Sequence, residues 1–336
     1  MISEEEDLIH HLRKMAITKR LNFLIGSGAS KPAIPLMSEF SDRNDKTANQ
    51  QLSERVRSLS KIIGNNIRLN RGSYQVLQKV EATLTNYKEF IEKIIHLLEL
   101  SNSRQTPKSV NIFTTNYDLF LEKAVDEVSK NKRLIFNDGG KGYLTRNLDS
   151  SNFNQTVSYK GLNDNYISEI PSISLIKPHG SVNWLRNEEE VIIKHEVVDE
   201  PMIVKPTGKE EQDTFMNNHF HEMLRVFQLE LDKPQSVLFV LGFSFQDKHI
   251  GKMIKRALKN PELMIYVFGF SESDRELYLK NLGFVSELSN FKILTPMNFD
   301  EKFRTKMNDD LNKEDWFSFT LPNLSKILTV DSWEVK

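Results

Sequence analysis

The run Val237–Leu241, VLFVL, contains no polar residue, and a strand of that composition is stable only where both of its faces are covered. From there the chain alternates. Residues 237–242 read as strand, 247–259 as helix, 263–268 as strand, 272–282 as helix and 291–296 as strand. Such alternation means parallel strands joined by crossover helices: an α/β protein with a doubly wound, mostly parallel Rossmann-like sheet. Two earlier runs, LNFLI at Leu21–Ile25 and VNIFT at Val110–Thr114, supply further strands.

Between those two runs, Leu52, Val56, Leu59 and Ile63, then Val76, Val80, Leu84, Tyr87, Ile91, Ile94 and Leu98, recur at helical spacing around a Gly72–Ser73 break. They predict a helical hairpin inserted over about residues 41–104, with its apolar stripe in the core. Ser3 and Glu6 are spaced as a capping box for a helix ending near Thr18. Residues 134–164 read as loops and short strands, ISLIKPHGSVNWL as strand–turn–strand, EEVIIKHEVV as an edge strand, and 212–231 as helix. The expected division is one domain over 1–298 and a helical docking segment over 299–336.

Composition removes several function classes. No cysteine occurs among the 336 residues, which excludes disulfides, zinc ribbons and thiol nucleophiles and fits a reducing cytosol. A net charge of −1 gives no overall pull toward nucleic acid or an anionic membrane. No run approaches the roughly 18 apolar residues of a spanning helix, and the acidic start MISEEED does not resemble a signal peptide. The expectation is a cytoplasmic protein that binds neither membrane nor nucleic acid directly. His219 and His221, two apart on a predicted helix, point away from each other, so no metal site is expected.

In an open parallel sheet, ligands bind beyond the carboxyl ends of the strands. Four such ends carry unusual residues: GSGAS, TTNYD, KPHGS and GFSF. Gly26 and Gly28 would let backbone approach an anion, and a following helix N-terminus would offer free N–H groups. Lys31 stands where a dinucleotide fingerprint has its third glycine, so this is not the usual dehydrogenase pattern. Each feature also has a structural reading: a tight turn for the glycines, an N-cap for Asn116, a dipole complement for Asp118, a satisfied core residue for His179. Four of them at successive strand ends exceed what capping requires.

The ordered set GSGAS…TTNYD…KPHGS…GFSF resembles the bacterial sirtuin-like NAD-hydrolase family of anti-phage defence and, more remotely, the deacylase sirtuins. Gly26, Ser27, Gly28, Ala29 and Ser30 match the first motif; Thr115, Asn116 and Asp118 the second; His179 with Gly180 the third; Gly242 and Ser244 the fourth. Deacylase sirtuins carry four zinc-binding cysteines and a Phe-Arg pair after an Ile-Pro; here there is no cysteine, and LMSEF follows Ile34–Pro35. The resemblance therefore implies cleavage of NAD+ to nicotinamide and ADP-ribose without a metal. Asn116 would hold ribose or water and His179 would accept a proton. Asp118 would bind the nicotinamide carboxamide beside Thr115, Gly26 through Ser30 would take the diphosphate, and Gly242 and Ser244 the adenosine side. It also implies a homo-oligomer and a partner such as a HerA-type ring ATPase. Two alternatives stay open: a catalytically silent NAD- or ADP-ribose-binding regulatory subunit, and a zinc-free deacylase or ADP-ribosyltransferase.

Overall fold

A computed structural model describes residues 4–42, 47–65, 74–100, 108–159, 169–204, 218–308 and 315–330. Ser3 of the expected capping box and the Gly72–Ser73 break lie outside the described residues. In chain order the elements begin with α1 (Glu4–Thr18), β1 (Arg20–Ile25), α2 (Ala48–Asn65), α3 (Tyr74–Leu100), β2 (Ser109–Thr114) and α4 (Phe120–Ser129). Short strands follow: β3 (Ile135–Asn137), β4 (Gly140–Lys141), β5 (Asn147–Leu148), β6 (Ser172–Ile176), β7 (Gly180–Asn187), β8 (Glu190–Ile193) and β9 (Pro201–Ile203). Then come α5 (Asn218–Asp232), β10 (Ser236–Leu241), α6 (Lys248–Ala257), β11 (Met264–Phe268), α7 (Asp274–Leu282) and β12 (Phe291–Leu294). The chain finishes with β13 (Thr305–Asn308), β14 (Asp315–Ser318) and α8 (Leu321–Ile327).

The main sheet has seven parallel strands in the order β12-β11-β10-β1-β2-β6-β3. Alternate residues of its strands feed two separate cores. Phe23, Ile25, Ile112, Leu175, Phe239 and Leu241 join one, Leu24, Phe113, Ile176, Leu238, Val240 and Ile265 the other. This is why VLFVL carries no polar residue: each side chain has a hydrophobic layer to enter. Helices α1, α2, α3, α4 and α8 cover the first face, through residues such as Leu12, Leu59, Phe90, Phe120 and Leu324. Helices α5, α6 and α7 cover the second, through Phe227, Ile254 and Leu282.

The expected helical pair over 41–104 is α2 and α3, and α3 is the crossover that leads from β1 to β2. Its Phe90 packs edge-on against Phe23 with centroids 5.0 Å apart, both fully buried. Truncating such a ring to Ala costs about 3–5 kcal/mol.

A second sheet, β4-β5-β8-β7-β9, is antiparallel and packs Trp184, Val191 and Ile193 into the second core. The EEVIIKHEVV segment is not an edge strand, because β8 lies between β5 and β7. The tail also departs from expectation. It is a two-stranded hairpin, β13–β14, before the short α8. Its aromatic residues tie it to the main sheet: Trp316 meets Phe270 edge-on at 5.6 Å, and Phe319, just past β14, stacks on Phe268 at 5.1 Å. Helix α8 is then clasped by α1, whose Arg13 Nε donates to Ile327 O at 2.8 Å.

From β1 the chain moves to β2 on one side, then returns to β10 on the other. The strand order reverses there, opening a crevice above the carboxyl ends of β1 and β10.

Candidate functional site

Two loops border that crevice, and they touch through backbone alone. Gly26 N donates to Leu241 O at 2.9 Å and Gly28 N to Gly242 O at 3.0 Å. A Cβ on Gly26 would fall 2.3 Å from Gly242 O, and one on Gly242 would fall 2.6 Å from Ala29 N. Gly242 also has φ +68°, a left-handed conformation that disfavours any other residue. These glycines therefore let the β1 and β10 loops lock together. No helix of useful length follows GSGAS; Ser27–Ser30 is one 3-10 turn, and Ala29 N is spent on Gly26 O at 3.1 Å. The expected row of free helical N–H groups is not formed there, because the chain turns toward Pro35 to continue over the crevice.

Beyond β2, the Asn116 amide nitrogen donates to Gly26 O at 3.1 Å and to Ser30 Oγ at 3.2 Å. That fixes the amide plane and leaves Oδ1 as its unspent acceptor. Ser30 Oγ donates in turn to Asp118 Oδ2 at 2.9 Å and lies 3.0 Å from Tyr87 Oη. The other Asp118 oxygen accepts from Phe120 N at 3.1 Å, which caps α4. Burial raises the Asp118 pKa, against the opposing charge of Lys177 and the donors on Phe120 and Ser30. Each Asp118 oxygen thus accepts one hydrogen bond inside the protein and keeps further acceptor capacity on the wall of the cavity described below. Burial, then the Asp118 charge, pushes the Tyr87 phenol well above its ordinary value, so it stays a neutral partner.

His179 sits in the turn between β6 and β7, closed by Gly180 N donating to Lys177 O at 3.0 Å. Gly180 is at φ +82°, and a Cβ there would meet Met202 O at 2.1 Å. His179 Nε2 lies 3.0 Å from Asp247 Oδ2. Asp247 Oδ1 caps α6, accepting from His249 N at 2.8 Å and Ile250 N at 3.1 Å. Burial pushes the Asp247 carboxyl up, but His179, Ile250 N and His249 N together outweigh it and hold the pKa below the ordinary value. The Nε2–Oδ2 approach is close but not aligned as a hydrogen bond, since Asp247 Oδ2 is buried without a hydrogen-bond partner, and Nδ1 has no polar contact among the described residues.

These groups line one cavity of about 360 Å³, which includes Ser27, Ser30, Thr115, Asn116, Asp118, His179, Gly242, Ser244 and Asp247. A neighbouring cavity of about 330 Å³ adds Gly28, Ala29, Phe268, Phe270, Tyr278 and Phe319. The two meet at Ser27, Met37, Gly242, Ser244 and Gln246, and each falls within the common range for ligand pockets. Of the residues expected from sequence, Gly26 alone lines neither; it is the buried contact behind the crevice. Two adjoining lobes that share Gly242, one holding Asn116, His179 and Asp247 and the other four aromatic rings, suit a molecule with two unlike rings joined by a diphosphate.

Sequence reasoning missed Asp247, Tyr87, Lys177 and Glu122. Asp247 carried a signal, since an N-cap directly after a strand end turns its carboxylate toward the crevice. Tyr87 carried none, because its place in the α3 stripe reads as core. Among the described residues no three His, Asp or Glu side chains gather as a metal site, and no helix is long and apolar enough to cross a membrane.

No curated protein matches this sequence. A family model does, and its interval takes in Asn116, His179, Gly242 and Asp247; the Gly26–Ser30 loop falls before it and is joined to it by the glycine contact. SIR2-like domains use NAD+, which suits the two-lobed crevice. The matching model is the SIR2-like domain, over residues 110–286, more than half of the chain, and this protein belongs to that family.

Proposed function

We propose that this protein hydrolyses NAD+ at the bond between nicotinamide and ribose. The observation that carries the reading is the meeting of Asn116 and His179, from separate strand ends, on one cavity, with Asp247 behind the imidazole. Nicotinamide and its ribose would occupy this polar lobe, the diphosphate the waist at Ser27, Gly28 and Gly242, and adenosine the aromatic lobe beyond Ser244. Cleavage passes through an oxocarbenium-like state, as at other glycosidic centres. The C1′–N bond breaks with its electron pair going to the pyridine nitrogen, so the leaving group departs neutral and needs no acid. Water adds to C1′ and gives its proton to His179 Nδ1, while Asp247 steadies the ring that gains it. Asn116 Oδ1 accepts from the ribose or from that water. Asp118 fixes Ser30, and through it Asn116, and accepts from the nicotinamide carboxamide with a remaining lone pair.

The test is release of nicotinamide and ADP-ribose from NAD+ by the purified protein, alone and with an added partner. Turnover should vanish in Asn116→Ala and His179→Ala that remain folded; turnover kept in both would dismiss the mechanism, and tight NAD+ binding without turnover would favour a regulatory subunit. Action as a homo-oligomeric anti-phage effector beside a HerA-type ring ATPase rests on the resemblance. It requires cellular NAD+ to fall after infection with the native chain and not with His179→Ala.

A further inference from the structure

Beneath the polar lobe lies a cation that takes no part in the chemistry above. Lys177 is 2% exposed, and its Nζ has three acceptors: Asp118 O at 2.6 Å, Glu122 Oε1 at 2.6 Å and Ser181 Oγ at 3.0 Å. Three acceptors satisfy all three N–H bonds of an ammonium, so it has none left for a ligand. Its partners belong to two different chain segments. Asp118 and Glu122 lie in the β2–α4 turn and the first turn of α4, the segment that carries Asn116. Lys177 and Ser181 bracket the β6–β7 turn, the segment that carries His179. Apart from this ammonium, Val182 N donating to Tyr117 O at 3.0 Å joins the same two segments.

Burying such a pair is not a cheap route to stability, since replacing a buried ion pair by apolar groups is often neutral or stabilising. Here the pair is also imperfect: Glu122 Oε2 is buried without a hydrogen-bond partner, and burial raises the Glu122 pKa against the attraction of Lys177. A hydrophobic residue would fill the space, but it could not hold a carbonyl of one turn and a hydroxyl of the other at fixed distance. We propose that Lys177 is a positioning residue, a buried three-way clamp that sets Asn116 and His179 relative to one another across the polar lobe. The inference rests on the hydrolase reading only for its catalytic consequence; the clamp itself is a statement about two turns.

Its test uses variants that separate fold from geometry. Lys177→Met alone strands the Glu122 carboxylate and should lower both melting temperature and kcat. Lys177→Met/Glu122→Gln removes both charges and should melt close to the native protein, while kcat for nicotinamide release stays down about 10–100-fold and KM for NAD+ changes less than about twofold. A double variant with native kcat would overturn the proposal and leave Lys177 an ordinary core cation. Hydrogen exchange supplies an arm independent of turnover. The amides of Asn116 and Gly180 should exchange at least about tenfold faster in the double variant, with β1 and β10 unchanged. Should the native protein release no nicotinamide, the hydrolase reading falls and this arm alone decides. Unchanged exchange at both amides refutes the clamp, and accelerated exchange sustains it.

Discussion

The two lobes of the crevice have similar volumes, about 360 and 330 Å³, and both mix polar and apolar walls, but the first carries an interlocked set of polar side chains and the second four aromatic rings. Around Asn116 and His179, polar side chains gather on one another: an amide bonded to a serine, the serine bonded to a carboxylate, and an imidazole 3.0 Å from a second carboxylate. The other lobe sets Phe268, Phe270, Tyr278 and Phe319, from β11, the β11–α7 turn, α7 and the tail, beside Lys31, Ser38, Asp274 and Thr320. On the hydrolase reading, the polar network fixes the direction of the reacting bond and the rings grip the adenine. The contrast predicts that the first lobe governs kcat and the second governs KM.

The strongest test is His179→Ala, expected to lower kcat about 10³-fold with little change in melting temperature, read from nicotinamide release. A loss confined to KM would erase the distinction between the lobes. Next is Gly242→Ala at the waist. Its Cβ meets backbone at 2.6 Å from Ala29 N, so stability should fall by about 3 kcal/mol in a urea titration, and both lobes should lose ligand together. Asp247→Asn should cost about 10²-fold in kcat while NAD+ affinity measured by calorimetry holds, because the carboxylate acts through the imidazole. Phe270→Ala should do the reverse: KM up about fivefold, near 1 kcal/mol, and kcat unchanged.

The smallest effect sharpens the comparison through pH. Asp247 has a lowered folded pKa, so its contribution to stability is present above the ordinary aspartate value and is lost as pH falls through the folded value. Asp118 and Glu122 have raised folded values, so the folded state holds their protons more tightly; stability declines as pH rises from the ordinary carboxyl range through those values. Denaturation across a pH series should show Asp247→Asn flattening the acid limb and Asp118→Asn flattening the opposite slope. Equal slopes in the two variants would contradict the assigned directions.

What sequence conveyed and what it did not follow one physical line. VLFVL and LNFLI announced burial on both faces because local composition decides that, and four strand ends pointed to one crevice because a parallel sheet aligns its carboxyl ends. Local pattern failed where the decisive partner is distant in the chain. The glycines of GSGAS suggest room for an anion; that they also seat on Gly242 is not legible, because no spacing rule connects Gly242 to Gly26. Lys177 looked like a strand-end lysine until Glu122 and Ser181 surrounded it. Asp118 also has internal partners, Ser30 and Phe120 N, that no local pattern announces. The tail's hairpin depends on Trp316 and Phe319 reaching Phe270 and Phe268, which are distant in the chain.

The glycine contact between the β1 and β10 loops has a consequence for anything meant to occupy this crevice. With Gly26, Gly28 and Gly242 seated backbone on backbone, the floor between the lobes is fixed, and the side chains that border it are Ser27, Met37, Ser244 and Gln246. An inhibitor that reaches both chambers gains nothing by pressing on that floor; its middle has to be fitted to Met37 and Gln246, the long side chains at the border.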